Sequence, residues 1–281
     1  MLDEGGLRAK SDFAHARSKA FWKRIFNFLS GQPATLLSYD EVKEKLHIGG
    51  PIYRGVRPVE LKKIVGSLNR YHEFDRAFLP LEDQAADRWQ SIDRAFYQDV
   101  NLPPVVLYKV GDVYFVVDGH HRVSVAREQG QIEIDAEVRE CSTKVNITPD
   151  LKPEDLEILG EKVDFLERTG LDRIRPKASI KLTIPDGFDR MLEHIAVHRY
   201  FMGLDQQRDI SEEEAVAHWY DKVYKPIAGT IRRNGILGQF PGKTEGDLYL
   251  WVLDRQRYLS SRGKKLASPQ KAAKDFLEEV R

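Results

Sequence analysis

The feature that most constrains the fold is a pair of β-branched and aromatic runs in the middle of the chain. Val105–Tyr108 and Val113–Val117 are separated by Lys-Val-Gly-Asp, the pattern of a β-hairpin. Directly after the second run come Asp-Gly-His-His-Arg at 118–122 and a helical segment over 123–130 that ends at a glycine. Clean alternation over 132–138 predicts a further strand. Together these runs predict a small mixed sheet.

Helical periodicity dominates on both sides of this region. The predicted helices run over 11–30 with a stop at 31–33, from a capping box at Ser38 to about 49, and over 83–97, 153–169, 185–201, 211 onward with a kink or a break expected at Pro226, and 244–261. Further strands are predicted over 56–65 and 179–184. The expected fold class is therefore α+β, with N-terminal helices at 1–50, a central domain at 51–147 and a mainly helical region at 148–281.

The turn at 118–122 joins a strand directly to a helix. Gly119 lets the backbone turn tightly, and the start of a helix presents unpaired amides and the positive end of the helix dipole. His120, His121 and Arg122 add neutral or cationic donors, which suit a phosphate group. Asp118 would be repelled by phosphate unless a metal or a cation lies between them. Alternatively, Asp118 acts as a base towards a hydroxyl group or orients a histidine. A solvated polar turn is the alternative reading.

The order of helix, strand, Val-Val-Asp-Gly-His-His-Arg, helix, Gly and strand resembles the ParB/sulfiredoxin superfamily over about 51–141. ParB-type proteins have Gly-Glu-Arg-Arg at this turn and sulfiredoxins Gly-Gly-Cys-His-Arg. The resemblance implies that Gly119, His121 and Arg122 contact nucleotide phosphates. His120 replaces the sulfiredoxin cysteine, and Cys141 is far from the turn in sequence, which removes that activity. The turn also resembles that of ParB-like small-molecule kinases.

The same resemblance places a loop over 67–76 beside the nucleotide. Within it Arg70 is the best candidate for a phosphate contact. Asn69, His72 and Arg76 remain alternatives, and Glu73 or Asp75 would serve as a base or a magnesium ligand. The implied ligand is a nucleoside di- or triphosphate (ATP, ADP or CTP) with Mg²⁺. Asp118 and His120 are the expected catalytic residues, while Gly119, His120, His121, Arg122 and Arg70 are the expected nucleotide-binding residues.

Net charge excludes bulk coating of nucleic acid, because 44 basic residues balance 44 acidic ones. One local exception runs from Arg255 to Lys274, with seven basic residues and no acid. This stretch is either a DNA contact or a solvated tail. A single cysteine, an acidic start and the lack of a long uncharged apolar run predict a cytoplasmic protein without a membrane partner. A homodimer is compatible with the family resemblance.

Two other groups of residues are expected to stabilise the fold rather than to bind a ligand. His194 and His198 have the spacing of a metal-binding pair, but a third ligand such as His218 or Glu214 would have to come from another helix. We therefore expect packing roles and no metal site. The aromatic residues of the last third are expected to form a helical core rather than a platform for bases. They are Trp219, Tyr220, Tyr224, Tyr249, Trp251 and Tyr258.

The functional hypotheses belong to three classes. The first is a nucleotide-binding protein that transfers phosphate to a small hydroxyl compound or hydrolyses the nucleotide. The second is a DNA-binding regulator or partition-like protein with the nucleotide as effector. The third is an interaction module that has kept the fold and lost the ligand. The sequence does not decide between them.

Overall fold

The computed structural model describes residues 4–30, 36–81, 86–98, 100–262 and 267–280. The chain divides into two compact units, Met1–Leu156 and Glu157–Arg281. A mixed sheet lies in the first unit, and helices build the second. The predicted α+β class agrees with this mixture. The predicted stop at 31–33, the first residues of the helix predicted at 83–97, and Lys264 and Lys265 lie outside the described residues.

The sheet of the first unit has six strands in the order β1-β3-β5-β4-β6-β2. The strands are β1 (Leu37–Ser38), β2 (Pro51–Glu60), β3 (Ile64–Ser67), β4 (Val105–Val110), β5 (Val113–Asp118) and β6 (Glu133–Cys141). β4 and β5 form the predicted hairpin, with Val110 paired to Val113. β3 runs parallel to β5, and β4 runs parallel to β6. The sheet is therefore mixed, as the sequence predicts.

Four α-helices of the described chain belong to the first unit together with the start of a fifth. They are α1 (Glu4–Ser30), α2 (Tyr39–Lys45), α3 (Ala86–Tyr97), α4 (His120–Glu128) and α5 (Asp155–Thr169). The Ser38 hydroxyl accepts the Glu41 amide at 3.4 Å, which confirms the predicted cap of α2. Val123 and Ala126 of α4 share one buried core with Leu107 and Val116 of the hairpin. Packing of α4 on the sheet fixes the turn that precedes it.

The second unit packs its helices around aromatic side chains. The helices are α6 (Leu171–Ile174), α7 (Gly187–Gln206), α8 (Glu212–Trp219), α9 (Lys225–Arg233), α10 (Glu245–Ser261) and α11 (Pro269–Val280). A wider π-helical turn, Tyr220–Tyr224, joins α8 to α9 just before Pro226. The chain therefore stays helical through Pro226, and the kink or break expected there takes the form of this wider turn, because proline cannot donate to the preceding turn. Trp219, Tyr224 and Tyr249 are buried, and Trp219 Nε1 donates to Tyr249 Oη at 2.9 Å.

The strand predicted at 179–184 is wrong. The segment pairs instead with the start of α10, where the buried Asp247 accepts the Thr183 amide at 2.8 Å. Thr244 Oγ1 donates to the Lys181 carbonyl at 2.6 Å. Thr244 and Asp247 also form the capping box of α10. The apolar alternation that suggested a strand reflects burial of Ile180 and Leu182 in the core of the unit.

Candidate functional site

The candidate site lies where two parallel strands end at the same edge of the sheet. β3 ends at Ser67 and β5 ends at Asp118, and Ser67 is in register with Val116. Parallel strands place the loops after their carboxyl ends side by side, which is where open α/β sheets bind ligands. The loop after β3 carries Arg70, and the turn after β5 carries Gly119 to Arg122. The structure therefore brings together all six residues that the sequence singles out.

Gly119 makes the strand-to-helix turn possible. Its φ of 96° lies in the left-handed region, and it is the N-cap residue of α4 without a side-chain cap. A Cβ atom at this position would lie 2.5 Å from Val105 Cγ1. The first amides of α4 have no carbonyl four residues earlier in the helix to accept them. The turn therefore combines a tight glycine with unpaired helix amides, the arrangement that favours an anion.

His120 and His121 are buried rather than displayed on the surface. α4 begins at His120, three residues earlier than the sequence suggests, so both rings lie in the first helical turn. They are 4% and 3% exposed. Burial, aided by the nearby Arg70 charge, lowers the pKa of each histidine to about 4. Of the two protonation states that the sequence left open, the structure favours the neutral one.

Each histidine ring has a different set of partners. His120 Nε2 lies 2.7 Å from Ser67 Oγ, and the ring stacks on Phe74 at 6.1 Å between centroids. His121 meets Phe74 edge-on at 5.4 Å. His121 Nδ1 is buried and has no hydrogen-bond partner among the described residues. Ser67 is a site residue that sequence reasoning missed. The signal that could have identified Ser67 is its place at the end of β3, the strand that runs parallel to β5.

Arg122 and Asp118 form an ion pair at the mouth of the turn. Arg122 Nη2 donates to Asp118 Oδ2 at 2.5 Å, and Arg122 Nη1 donates to the Pro104 carbonyl at 3.0 Å. A second bond from the same nitrogen reaches the Pro103 carbonyl. The Arg122 side chain is 14% exposed and that of Asp118 is 63% exposed. Arg122 therefore holds the loop before β4 and supplies the cation that lets Asp118 lie beside an anion site.

Two further guanidinium groups lie close to the histidines. Arg70 Nε donates to Glu73 Oε1 at 2.7 Å, and this bond holds the pKa of Glu73 below its ordinary value. The Arg70 charge also acts on both histidines, and that of Arg88, at the start of α3, acts on His121. Arg88 is exposed and has no ion pair with a described residue. Sequence reasoning missed Arg88, because it lies on a helix that the family resemblance does not place beside the nucleotide.

A cavity of about 830 Å³ adjoins the ion pair. Arg122 and the Pro103–Pro104 loop line it, together with Phe96 of α3 and Ile134 of β6. Glu133 and Asp135 contribute carboxylates to its rim. The cavity is part apolar and part acidic, and it is large enough for a small organic molecule.

Asp75 and Arg76 of the 67–76 loop stabilise the fold, whereas Asn69 and His72 are exposed. Asp75 is buried, and its Oδ1 accepts the amides of Ala77 and Leu79, both at 2.8 Å. Arg76 donates to the carbonyls of Pro149 and Leu151. Arg127 of α4 is half-buried and donates to the Ile64 carbonyl at 2.7 Å, so it joins the helix to the start of β3.

The three histidines of the second unit take the packing roles expected of them. His194 Nδ1 lies 3.3 Å from Tyr249 Oη, and burial lowers the pKa of His194 to about 4. His198 Nε2 lies 2.8 Å from His218 Nδ1, with the rings stacked. Glu214, the other ligand considered, forms an ion pair with Arg208.

Most of the described part of the stretch from Arg255 to Lys274 belongs to α10 and α11. Arg257, Arg262, Lys271 and Lys274 are exposed, whereas Arg255 has a buried guanidinium nitrogen. Ala272 and Ala273 of α11 lie in the core of the second unit. The described part of this stretch is therefore packed on the core of the unit, with four solvated cations on its outer side. Among the aromatic residues of the second unit, Tyr258 is 54% exposed and stacks with Arg262 at 4.6 Å.

Comparison with known proteins does not assign the chain to a family. No protein-family model, curated protein or solved structure matches the chain. Within the described residues, no helix has the length and hydropathy required to cross a bilayer.

Proposed function

We propose that the chain is a nucleotide-binding protein of the ParB/sulfiredoxin type, with a nucleoside di- or triphosphate held at the edge formed by β3 and β5. The observation that carries this proposal is the left-handed Gly119, which opens α4 with unpaired amides between Arg70 and Arg122. Helix amides and guanidinium groups are the donors that phosphate oxygens prefer.

The three arginines at this edge differ in whether their guanidinium groups are already bonded to other residues. Arg88 is exposed and without an ion pair to a described residue, so it is ready to neutralise a phosphate. Arg70 reaches an anion only by sharing its guanidinium with Glu73. Arg122 is held by two carbonyls and Asp118, so its role is to shape the turn and support Asp118. His121 would contribute a neutral ring, and its unpartnered Nδ1 is the polar atom that gains most from a ligand.

In the enzymatic form of the proposal, phosphate passes to a small hydroxyl compound. Asp118 is exposed and would accept the hydroxyl proton, while Arg122 holds the carboxylate in place. His120 is neutral and bonded to Ser67, so it positions the turn rather than transferring a proton itself. The cavity lined by Arg122, the ion-pair partner of Asp118, would hold the hydroxyl substrate. The Glu73 carboxylate would supply an oxygen ligand for Mg²⁺, so that Asp118 remains the base.

Calorimetric titration with ATP, ADP, CTP and GTP in the presence of Mg²⁺ tests the binding proposal. Wild-type protein should bind at least one of them, and Arg88→Ala and Arg70→Ala should each weaken binding by about tenfold to a hundredfold, since a charged hydrogen bond contributes about 1.5–3 kcal/mol. Arg139→Ala is the matched control, because Arg139 also pairs with a nearby glutamate but lies on β6. Lack of heat with all four nucleotides would reject the proposal.

Asp118→Asn separates an enzyme from a nucleotide sensor. The amide keeps the size of the side chain but accepts no proton. Transfer to a panel of hydroxyl compounds, or phosphate release, should fall by about a hundredfold or more while nucleotide affinity changes little. A wild-type protein that binds nucleotide and neither transfers nor releases phosphate would instead support the sensor.

The second candidate, a DNA-binding regulator, is favoured by one observation. Four cations of the stretch from Arg255 to Lys274 are exposed on the described parts of α10, α11 and the residue that follows α10. Exposed cations on adjoining helices suit contact with nucleic-acid phosphates. A gel-shift experiment designed around these side chains is described below.

A further inference from the structure

A hydrogen-bonded network of side chains joins the first helix of the chain to two others. Asp12 Oδ2 of α1 accepts the Tyr97 hydroxyl of α3 at 2.6 Å. Gln129, the C-cap residue of α4, donates its Nε2 to Tyr97 Oη at 3.2 Å and to Asp93 Oδ1 of α3 at 2.7 Å. The docking of α1 therefore depends on polar contacts with α3 and α4 as well as on its apolar side.

Asp93 is the buried carboxyl of this network. It is 0% exposed, and its Oδ2 meets no hydrogen-bond donor among the described residues. An ionised carboxylate that is buried with one oxygen unpaired is costly. Burial is the main cause that raises the pKa of Asp93, and the Gln129 bond opposes it. The charges of Asp12 and Glu128 and a side-chain hydrogen bond with Asp12 raise this pKa further.

The donors of the network already have acceptors. The single hydroxyl hydrogen of Tyr97 goes to Asp12. The two hydrogens on Gln129 Nε2 go to Asp93 Oδ1 and to Tyr97 Oη. A proton on Asp93 Oδ2 would supply the missing donor, because a protonated carboxyl has one O–H to give. Asp12 is close enough to form a side-chain hydrogen bond with Asp93, so it is the acceptor.

We propose that Asp93 holds a proton that it shares with Asp12, and that this pair of carboxyl groups is a pH-sensitive clasp between α1 and α3. Two carboxyl groups in contact do not both ionise without repulsion, so one of them keeps a proton above its ordinary pKa. When the pH rises, that proton passes to solvent and leaves two negative charges side by side. Their repulsion weakens the docking of α1, which carries Asp12. The clasp is independent of the proposed nucleotide site.

The neighbouring charged groups do not replace this proton. The helices that pack on α3 are α1 and α4. Lys19 Nζ of α1 lies 3.0 Å from Glu128 Oε2 of α4, and His15 Nδ1 of α1 lies 2.9 Å from Glu128 Oε1. Both oxygens of Glu128 are therefore occupied, and Lys19 already has a carboxylate partner. The charged groups that α1 and α4 bring to this junction are Arg8, which lies over the Tyr97 ring, Asp12, His15, Lys19 and Glu128.

A metal ion is the competing occupant. It would find the carboxylates of Asp12 and Asp93, each with one oxygen already bonded. Mg²⁺ and Ca²⁺ take six or more oxygen ligands, which this buried junction does not offer from its described side chains. A proton needs one donor atom and one acceptor atom. The test below includes the metal as an outcome.

Hydrogen exchange of the α1 amides in the full chain, measured across pH, is the test. Asp93→Asn keeps a donor for Asp12 and an acceptor for Gln129 but has no proton to lose. Because the folded-state pKa of Asp93 is raised, the clasp is complete at low pH and is lost as the pH rises. Exchange in the wild type relative to Asp93→Asn should therefore increase by up to about tenfold per pH unit above the ordinary pKa and level off at the raised one.

Two further variants sharpen this comparison. Asp87→Asn is the matched control, because Asp87 is an exposed acid on the same helix, and it should exchange like the wild type at every pH. Asp12→Asn places the missing donor on the other side of the pair, so it should also remove the pH dependence. Comparing variants at the same pH cancels the intrinsic pH dependence of exchange.

Infrared spectroscopy supplies a second readout. At about pH 5, where exposed carboxyl groups are mostly ionised, the wild type should show a protonated-carboxyl band that Asp93→Asn loses and Asp87→Asn keeps. A ratio of exchange rates that does not change with pH would overturn the proposal, as would a band unaffected by Asp93→Asn. Slower α1 exchange on addition of Mg²⁺ or Ca²⁺, abolished by Asp93→Asn, would overturn it in favour of a metal site.

Discussion

His120 Nε2 lies 2.7 Å from Ser67 Oγ, and this contact joins the end of β3 to the first turn of α4. Both residues are buried, at 4% and 0% exposure. Ser67 Oγ also accepts the Arg70 amide at 3.3 Å. One hydroxyl therefore links the loop that carries Arg70 to the turn that carries Asp118 and Arg122, and it sets their relative position.

Ser67→Ala should loosen this link. Removing one partner of a buried hydrogen bond should lower the free energy of unfolding by about 1–3 kcal/mol and weaken nucleotide binding severalfold. Ser124→Ala is the matched control, because Ser124 is also buried and accepts Trp89 Nε1 at 2.9 Å away from the site. Chemical unfolding and calorimetry of both variants check this. Equal nucleotide affinities for the two variants would show that Ser67 has no special part in the site.

Acid should destabilise the first unit through its two buried histidines. Their pKa in the folded protein is about 4, below the ordinary 6.5. The stability that the neutral rings contribute is therefore fully present above pH 6.5 and is lost as the pH falls toward 4, up to about 3 kcal/mol for each ring. Urea unfolding between about pH 7 and pH 5 should show this decrease, with the sign set by the lowered pKa.

His121→Phe isolates one of these rings. It should reduce the loss of stability on acidification, because a phenyl ring cannot take up a proton. His72→Gln is the control, since His72 is a histidine exposed on the loop. A variant with the same pH dependence as the wild type would mean that His121 is not the group that titrates.

Gly119→Ala should disrupt the turn more than a comparable change at the other end of α4. Gly119 and Gly130 both have positive φ, 96° and 73°. An added Cβ at Gly119 would meet Val105 Cγ1 at 2.5 Å, whereas nothing lies within 4 Å at Gly130. We expect Gly130→Ala to cost about 1 kcal/mol from backbone strain alone and Gly119→Ala about 2–4 kcal/mol, measured by chemical unfolding. Equal losses would show that Val105 of β4 yields to the new methyl group.

The DNA-binding alternative predicts a steep dependence of affinity on salt. Deleting the C-terminal residues would remove Ala272 and Ala273 from the core, so substitution of exposed side chains is the cleaner design. The test variant carries glutamine at Arg257, Arg262, Lys271 and Lys274. The control carries it at four exposed cations of the first unit, Lys10, Lys43, Arg57 and Lys62.

Gel shifts of both variants across a salt series separate a local contact from a net-charge effect. If the C-terminal cations touch phosphates, the test variant should bind more weakly, and its slope against log salt should fall by about 0.9 for each lost contact. The control variant, with the same net charge, should keep the wild-type slope. Equal behaviour of the two variants would reject the C-terminal stretch as the DNA contact.

Local sequence patterns predicted most of the helices and strands, but they did not predict which of these elements lie side by side in the fold. The hairpin over β4 and β5 and the cap at Ser38 follow from short-range signals, and the structure has both. The segment at 179–184 has an equally regular pattern but forms no strand, because the alternation does not show whether a strand partner exists. The start of α4 was also misplaced. The first turn of α4 buries His120 and His121, which are not apolar residues. The apolar periodicity therefore begins only at Val123, three residues after the helix starts.

By itself, the sequence determined that a strand passes through Gly119 into a helix and that cations surround this turn. These features depend on neighbours along the chain, where glycine permits a positive φ and helix ends leave amides unpaired. Only the tertiary structure decided that His120 and His121 are neutral and that Ser67 bonds the first of them. Burial and the charge of Arg70 set those pKa values, and both depend on a sheet order that places β3 beside β5, about 50 residues away in sequence.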